Sequence, residues 1–156
     1  MNWESINHPQ SSLQEYHLND SSKCQVILKY NPKHQSARLS HGTYQRLFFF
    51  ENAGGKITFR NEYGMDTGSI SSDRWDKSEG HIIIDSKKYN YRLHENLLPE
   101  LMIFNNNPQQ PLASCRIESS NLAPLVNNQN AKSCLLLSLG WYLSLTVEAE
   151  MEYASV

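Results

Sequence analysis

The chain has 156 residues, 39% of them hydrophobic and 19% charged, with a formal net charge of −2. That length suits one domain able to bury roughly two-thirds of its unfolded surface. A net-acidic chain with no recognition module is a poor fit to nucleic acid. Residues 1–20 lack the apolar core of a signal peptide, and no apolar run reaches the ~20 residues of a spanning helix, so a cytoplasmic protein is expected.

The charge is unevenly spread. From Lys23 to Arg92 there are 12 Lys or Arg against 7 Asp or Glu (+5), and the rest holds 2 against 9 (−7). A basic body between acidic flanks is compatible with an anion-binding surface, although a mixed solvated surface gives the same count. Cys24, Cys115 and Cys134 are odd in number and have no Cys-x-x-Cys spacing. They are expected to be reduced, packed thiols and not a disulfide or metal set.

In chain order, residues 1–22 form a loose lead-in anchored by Leu13, Tyr16 and Leu18. Strand alternation begins at 23–30, where Cys24, Val26, Leu28 and Tyr30 share a face. Asn31-Pro32 stops it, and Gly42 weakens any strand over 38–44. The run Leu47-Phe48-Phe49-Phe50 is apolar on both sides and predicts one face in the core and the other under a neighbouring segment. Ala53-Gly54-Gly55 predicts a hairpin turn into Ile57 and Phe59. Then come a segment around Trp75, a strand over 80–85, a turn at Ser86-Lys87-Lys88, and a return in which Tyr89, Tyr91 and Leu93 share a face. Strands over 101–104 and 111–118 follow, then a polar loop over 119–131.

Residues 133–147 form the longest charge-free apolar run. Leu135, Leu137, Leu139, Trp141, Leu143 and Leu145 recur with period two, as in a half-buried strand. One strand of that length would extend roughly 50 Å, beyond the usual size, whereas a helix would be about 22 Å long. A helix apolar all round belongs inside a core, and a buried helix is the preferred reading. Gly140 costs it about 1 kcal/mol relative to Ala unless close packing offsets this. The expected domain is thus single: lead-in 1–22, strands of a barrel or sandwich over 23–118, loop 119–131, buried helix 132–148 and acidic tail 149–156.

A meander of short strands before an apolar C-terminal helix resembles the tubby C-terminal-like barrel superfamily, which includes tubby domains, phospholipid scramblases and LURP-one-related proteins. The likeness is to its small bacterial members. It rests on Trp75, Gly80-His81-Ile82-Ile83-Ile84, Tyr89-Asn90-Tyr91, Leu101-Met102-Ile103-Phe104 and the segment from Leu135 to Leu143. Ser138, Ser144 and Thr146 depart from the more aliphatic helix of that pattern. The resemblance implies a mainly β fold, a closed antiparallel β-barrel of about twelve short strands around a buried helix. It implies no mapped site residue, because neither the basic pocket of tubby domains nor the membrane and calcium association of scramblases aligns here.

Asp66-Thr67-Gly68-Ser69 matches the aspartic protease tetrapeptide, but that chemistry needs two carboxylates sharing a proton. A polar lead-in, Asn61-Glu62-Tyr63-Gly64, makes a plain glycine turn the better reading. The six histidines are scattered, and the acidic set Asp66, Asp73, Asp76 and Glu79 lacks a calcium-loop pattern, so no metal or cofactor is expected. Basic residues beside aromatics supply the candidate anion site: Lys56 and Arg60 around Phe59, with Lys87, Lys88 and Arg92 around Tyr89 and Tyr91. If neighbouring hairpins bring them together, they suit an anionic lipid headgroup. The expected function is a non-catalytic binding module for such a headgroup or a protein partner. A structural, homo-oligomeric interaction protein is the alternative, and a hydrolase using Asp66 is the remote one.

Overall fold

The computed structural model describes residues 1–6, 13–73, 78–94, 100–105, 109–117 and 129–154, with helix side chains described over 132–145. Eleven strands follow in order: β1 Asn2–Ile6, β2 Gln14–Asp20, β3 Lys23–Asn31, β4 Ser36–His41, β5 Tyr44–Ala53, β6 Lys56–Arg60, β7 Asp66–Ser72, β8 Glu79–Ile84, β9 Lys87–His94, β10 Glu100–Phe104 and β11 Pro111–Ile117. Each pairs with its sequence neighbours, and β11 returns to β1, so the sheet is a closed barrel. Alternation selects the lining. Leu28, Leu39, Phe48, Phe59, Ile82, Tyr91 and Leu101 point inward and are buried, while their neighbours face out.

Residues 1–22 are not a lead-in. Trp3 on β1 and Tyr16 and Leu18 on β2 are core residues. The segment with Gly42 is likewise no weak strand, because Gly42 sits in the turn after β4 and leaves Ala37 and Leu39 free to face the core. On β5 Phe48 and Phe50 enter the core, and Phe49 on the outer face is 37% exposed, so that face is only partly covered. A register shift between Leu18 and Asn19 turns Cys24 outward, out of the Val26–Leu28–Tyr30 face it was expected to share. The β5–β6 turn is Gly54-Gly55, both left-handed at φ 55° and 84°. The β8–β9 turn is Asp85-Ser86 (φ 49° and 70°), not Ser86-Lys87-Lys88, so both lysines belong to β9. Two consecutive left-handed residues give the hairpin turn that matches strand twist. The Trp75 segment and the loop over 119–128 lie outside the described residues.

Strand number decides how the barrel closes. In an alternating meander the first and last of eleven strands run the same way, and β1 pairs with β11 in parallel, Asn2 opposite Arg116 and Trp3 opposite Ile117. The expected count of about twelve would have closed antiparallel. Every other pairing is antiparallel.

Helix α1, Gln129–Ala154, starts before the expected boundary and runs through most of the predicted acidic tail. It contacts β3 and β8, which lie five strands apart around the ring by one path and six by the other. It is therefore enclosed by the barrel, and Leu135, Leu136, Leu137, Leu139 and Trp141 are buried on all sides of it. Its direction follows from β11, which ends where the β9–β10 and β7–β8 connections lie. Lys132 meets Tyr91 near that end, and Tyr142 meets His41 at the other, ring centroids 5.5 Å apart. Ser138 donates to the Cys134 carbonyl (2.7 Å) and Ser144 to the Trp141 carbonyl (2.8 Å). The Ser138 and Ser144 hydroxyls, which depart from an aliphatic pattern, are thus satisfied within the helix itself. A Cβ on Gly140 would lie 2.7 Å from Ile84 Cδ1, the close packing that offsets its poor helix propensity.

Candidate functional site: an outer-wall cleft

The lining of the barrel and α1 form one continuous apolar cluster, so polar chemistry is carried by the outer wall and the ends. The five basic residues do not converge there. Lys56 shares a cross-strand row with Ser71, His81 and Asn90, and Lys88 shares one with Ile83, Ser69 and Thr58. Strands β6 and β9 are separated by β7 and β8, roughly 14 Å at strand spacing. Lys56 also follows the β5–β6 turn, at the barrel end opposite the β8–β9 turn that precedes Lys87. Arg60 is engaged by Glu51 (2.9 Å) and by Asp66 (3.0 Å). Of the five, Arg92 lines a concavity described among these residues.

That concavity is a cleft of about 550 Å³ over β7–β10, lined among others by Asp73, Glu79, His81, Asn90, Arg92 and Phe104. Strand parity builds it. Gly80 and Ile82 turn inward on β8, which sends Glu79 and His81 outward; Tyr89, Tyr91 and Leu93 turn inward on β9, which sends Asn90 and Arg92 outward. Phe104 ends β10 on the outer side, opposite Asn90, yet is only 5% exposed. Arg92 lies over its ring, 5.3 Å from guanidinium carbon to centroid, and donates from Nε to Glu79 Oε1 at 2.9 Å. Asn90 Nδ2 donates to the Asn105 carbonyl (3.3 Å). A Cβ on Gly80 would collide with the Ser71 carbonyl and the Tyr91 ring, so glycine is required where β8 passes beneath the cleft. Burial pushes the Tyr91 phenol up to about 12, keeping it a neutral donor.

Sequence reasoning picked out Arg92 but not its companions. The readable signal was the outward set Glu79, His81, Asn90 and Arg92 on consecutive strands, which attention to the inward aromatics hides. The aspartic protease motif is resolved differently from either expectation. Asp66 to Ser69 opens strand β7, with Gly68 inside the strand against the Ile83 backbone, and is not a turn. The Asp66 carboxylate is exposed and faces Arg60, not a second carboxylate. Among the described residues, no group of three or more His, Cys, Asp or Glu side chains is placed to hold a metal ion. Burial pushes the Cys115 thiol up to about 12 and the Cys134 thiol well above its usual value, so both are inert packing groups. No helix among the described residues is long and apolar enough to cross a membrane. Comparison with protein-family models, curated proteins and solved structures gives no match.

Proposed function

We propose that this barrel is a non-catalytic binding module that receives its ligand or partner in the β7–β10 cleft. The observation that carries this reading is Arg92, which lies over the Phe104 ring, is paired with Glu79 and stays reachable from solvent, beside carboxylate, carboxamide and imidazole groups. A cleft of this size falls within the roughly 300–1,000 Å³ of small-molecule sites. An anionic lipid headgroup suits the described residues of the cleft less well than the sequence suggested, since among them Asp73 and Glu79 outnumber Arg92. Kinship with the tubby-like barrels belongs to the same proposal. The axial helix supports it, while the eleven strands and parallel closure depart from that pattern.

Backbone amide NMR of the full chain tests the module. Phosphatidylcholine vesicles with and without phosphatidylserine, and mixtures of nucleosides, sugars and amino acids, are added in turn. Shift changes confined to β7–β10 are expected with a soluble ligand. Changes centred instead on Lys87 and Lys88 with anionic vesicles, and lost in Lys87→Glu with Lys88→Glu, would move the function to headgroup binding.

The alternative, a module that joins copies of itself, has one observation in its favour. Tyr44, Tyr63, Met65 and Leu112 are 63%, 80%, 60% and 45% exposed, and all sit at the barrel end that carries the β4–β5, β6–β7 and β10–β11 connections. Asn61 Oδ1 accepts from the Tyr63 and Met65 amides, so the β6–β7 loop presents both side chains rigidly. Sedimentation equilibrium of the wild type and of Tyr63→Asp with Met65→Asp separates the two readings.

A further inference from the structure

We propose that the outer wall made by β3, β4 and β5 docks an extended segment of a partner protein carrying a carboxylate and, two residues away, an apolar side chain. This surface lies outside the β7–β10 cleft and stands or falls independently of it.

Charge sets the wall apart. Residues 21–50, all of them described, hold Lys23, Lys29, Lys33, Arg38 and Arg46 and no Asp or Glu. Arg46 is engaged elsewhere, lying over the Phe48 ring at 4.7 Å and pairing with Asp85. Strand register brings two of the others together. Lys29 stands opposite Arg38, and Arg38 stands opposite Leu47, in one row across three strands. All three face outward, because Leu28, Leu39 and Phe48 beside them fill the core.

Like charges directly opposite on one sheet face repel, so this cation pair opposes the fold that creates it. Lys29 is partly offset by Glu15 at 3.8 Å, a carboxylate it shares with His17 at 3.0 Å. Arg38 is exposed and, among the described residues, has no carboxylate partner. A partner's carboxylate set between the two cations supplies what this stretch of the chain omits.

The apolar side chains beside the pair point to protein and not to phosphate. Leu47 and Ile27 are half-buried on this outer face, and Phe49 is 37% exposed. Phe49 is the diagonal neighbour of Arg38, about 7–8 Å away at sheet geometry. In an extended segment, side chains two residues apart lie on one side at roughly 7 Å. A carboxylate over Lys29 and Arg38 therefore carries the next side chain on that face to Leu47 and Phe49. A sugar–phosphate backbone would meet the cations and leave these apolar groups in water.

Backbone amide NMR of the full chain tests this with three peptides of equal length, repeating Glu-Ser-Leu-Ser, Gln-Ser-Leu-Ser or Glu-Ser-Ser-Ser. Decauridylate and phosphatidylserine vesicles are the further probes. The Glu-Ser-Leu-Ser peptide is expected to shift the β3–β5 amides saturably, with every other probe weaker there. Arg38→Gln is expected to weaken that peptide about threefold to fivefold, the loss of one exposed ion pair, and Arg38→Glu to abolish its binding. Arg38→Glu also sets a carboxylate opposite Lys29, so its urea midpoint is expected to equal or exceed that of the wild type. Binding lost with stability kept separates docking from a structural role. A lowered midpoint would mean that Arg38 serves the fold and would overturn the proposal. So would either control peptide, the RNA or the vesicles moving these amides as strongly, or an absence of β3–β5 shifts with Glu-Ser-Leu-Ser. None of these results touches the cleft, whose β7–β10 amides report separately in the same spectra.

Discussion

Cys24 illustrates how one residue of register decides chemistry. Its position two before Val26 places it on the inward face by simple alternation, and the shift opposite Leu18 and Asn19 reverses that. A bulge leaves no signature in a hydrophobic pattern, so its exposure was not legible, whereas the burial of Cys115 and Cys134 was. Partial burial first, then Glu15 and Glu4, raises the Cys24 thiol above its usual value, so it reacts slowly. In the native protein, alkylation by iodoacetamide followed by peptide mass spectrometry is expected to modify Cys24 alone, with Cys115 and Cys134 modified only after denaturation. Early labelling of Cys134 would mean that the helix leaves the barrel readily. The cleft residues escaped for a different reason: Glu79 and His81 look like ordinary surface residues until β8 and β9 are paired and Phe104 is seen beneath Arg92.

The elements were more readable than their edges. Strands whose two faces differ, such as β3 and β9, announce themselves through Val26–Leu28–Tyr30 and Tyr89–Tyr91–Leu93. Strands β1 and β2 did not, since each contributes only one or two core side chains from a polar sequence. The period-two pattern of α1 was misleading because a helix buried on every side has no amphipathic period to display. Its position predicts a graded response. Leu139→Asp places an unpaired charge at a fully buried site and should abolish soluble folding, since such burial costs several kcal/mol. Gly140→Val overpacks against Ile84 and should destabilise by roughly 1–3 kcal/mol while leaving a folded protein. Soluble expression and urea denaturation check both. A folded Leu139→Asp would contradict the enclosed helix.

For the whole molecule, the response to alkali follows from its buried acids, Cys134 among them. Burial chiefly raises Tyr16 and Tyr91 from 10.0 to about 12, and Cys115 from 9.0 to about 12. Between the unfolded and folded values the unfolded chain binds fewer protons, so stability falls as pH rises. The contribution is intact below pH 9 to 10 and is lost as pH climbs through about 12. Urea midpoints followed by circular dichroism are expected to stay level to about pH 9 and then decline. A midpoint unchanged up to pH 12 would mean that these groups are solvated. The strand meander and the buried helix were legible because both follow from apolar patterning, whereas closure of the one around the other was what the resemblance implied. The parity of the barrel was not legible, since one strand more or fewer leaves the pattern of any single strand unchanged.

The helix on the axis is also made after every strand that surrounds it. While the chain emerges from a ribosome, hairpins from β2–β3 to β10–β11 can pair locally, yet their apolar faces have nothing to close upon until residues near Leu139 arrive. The β1–β11 seam joins positions more than a hundred residues apart and holds two register pairs among the described residues. Contacts of such sequence separation form late and slowly. The decisive step of folding therefore waits for the helix: a curved sheet wraps a newly delivered rod, and ring closure fixes it. Until then the inner wall is an exposed sticky surface, which makes synthesis the moment at which this protein most needs a chaperone.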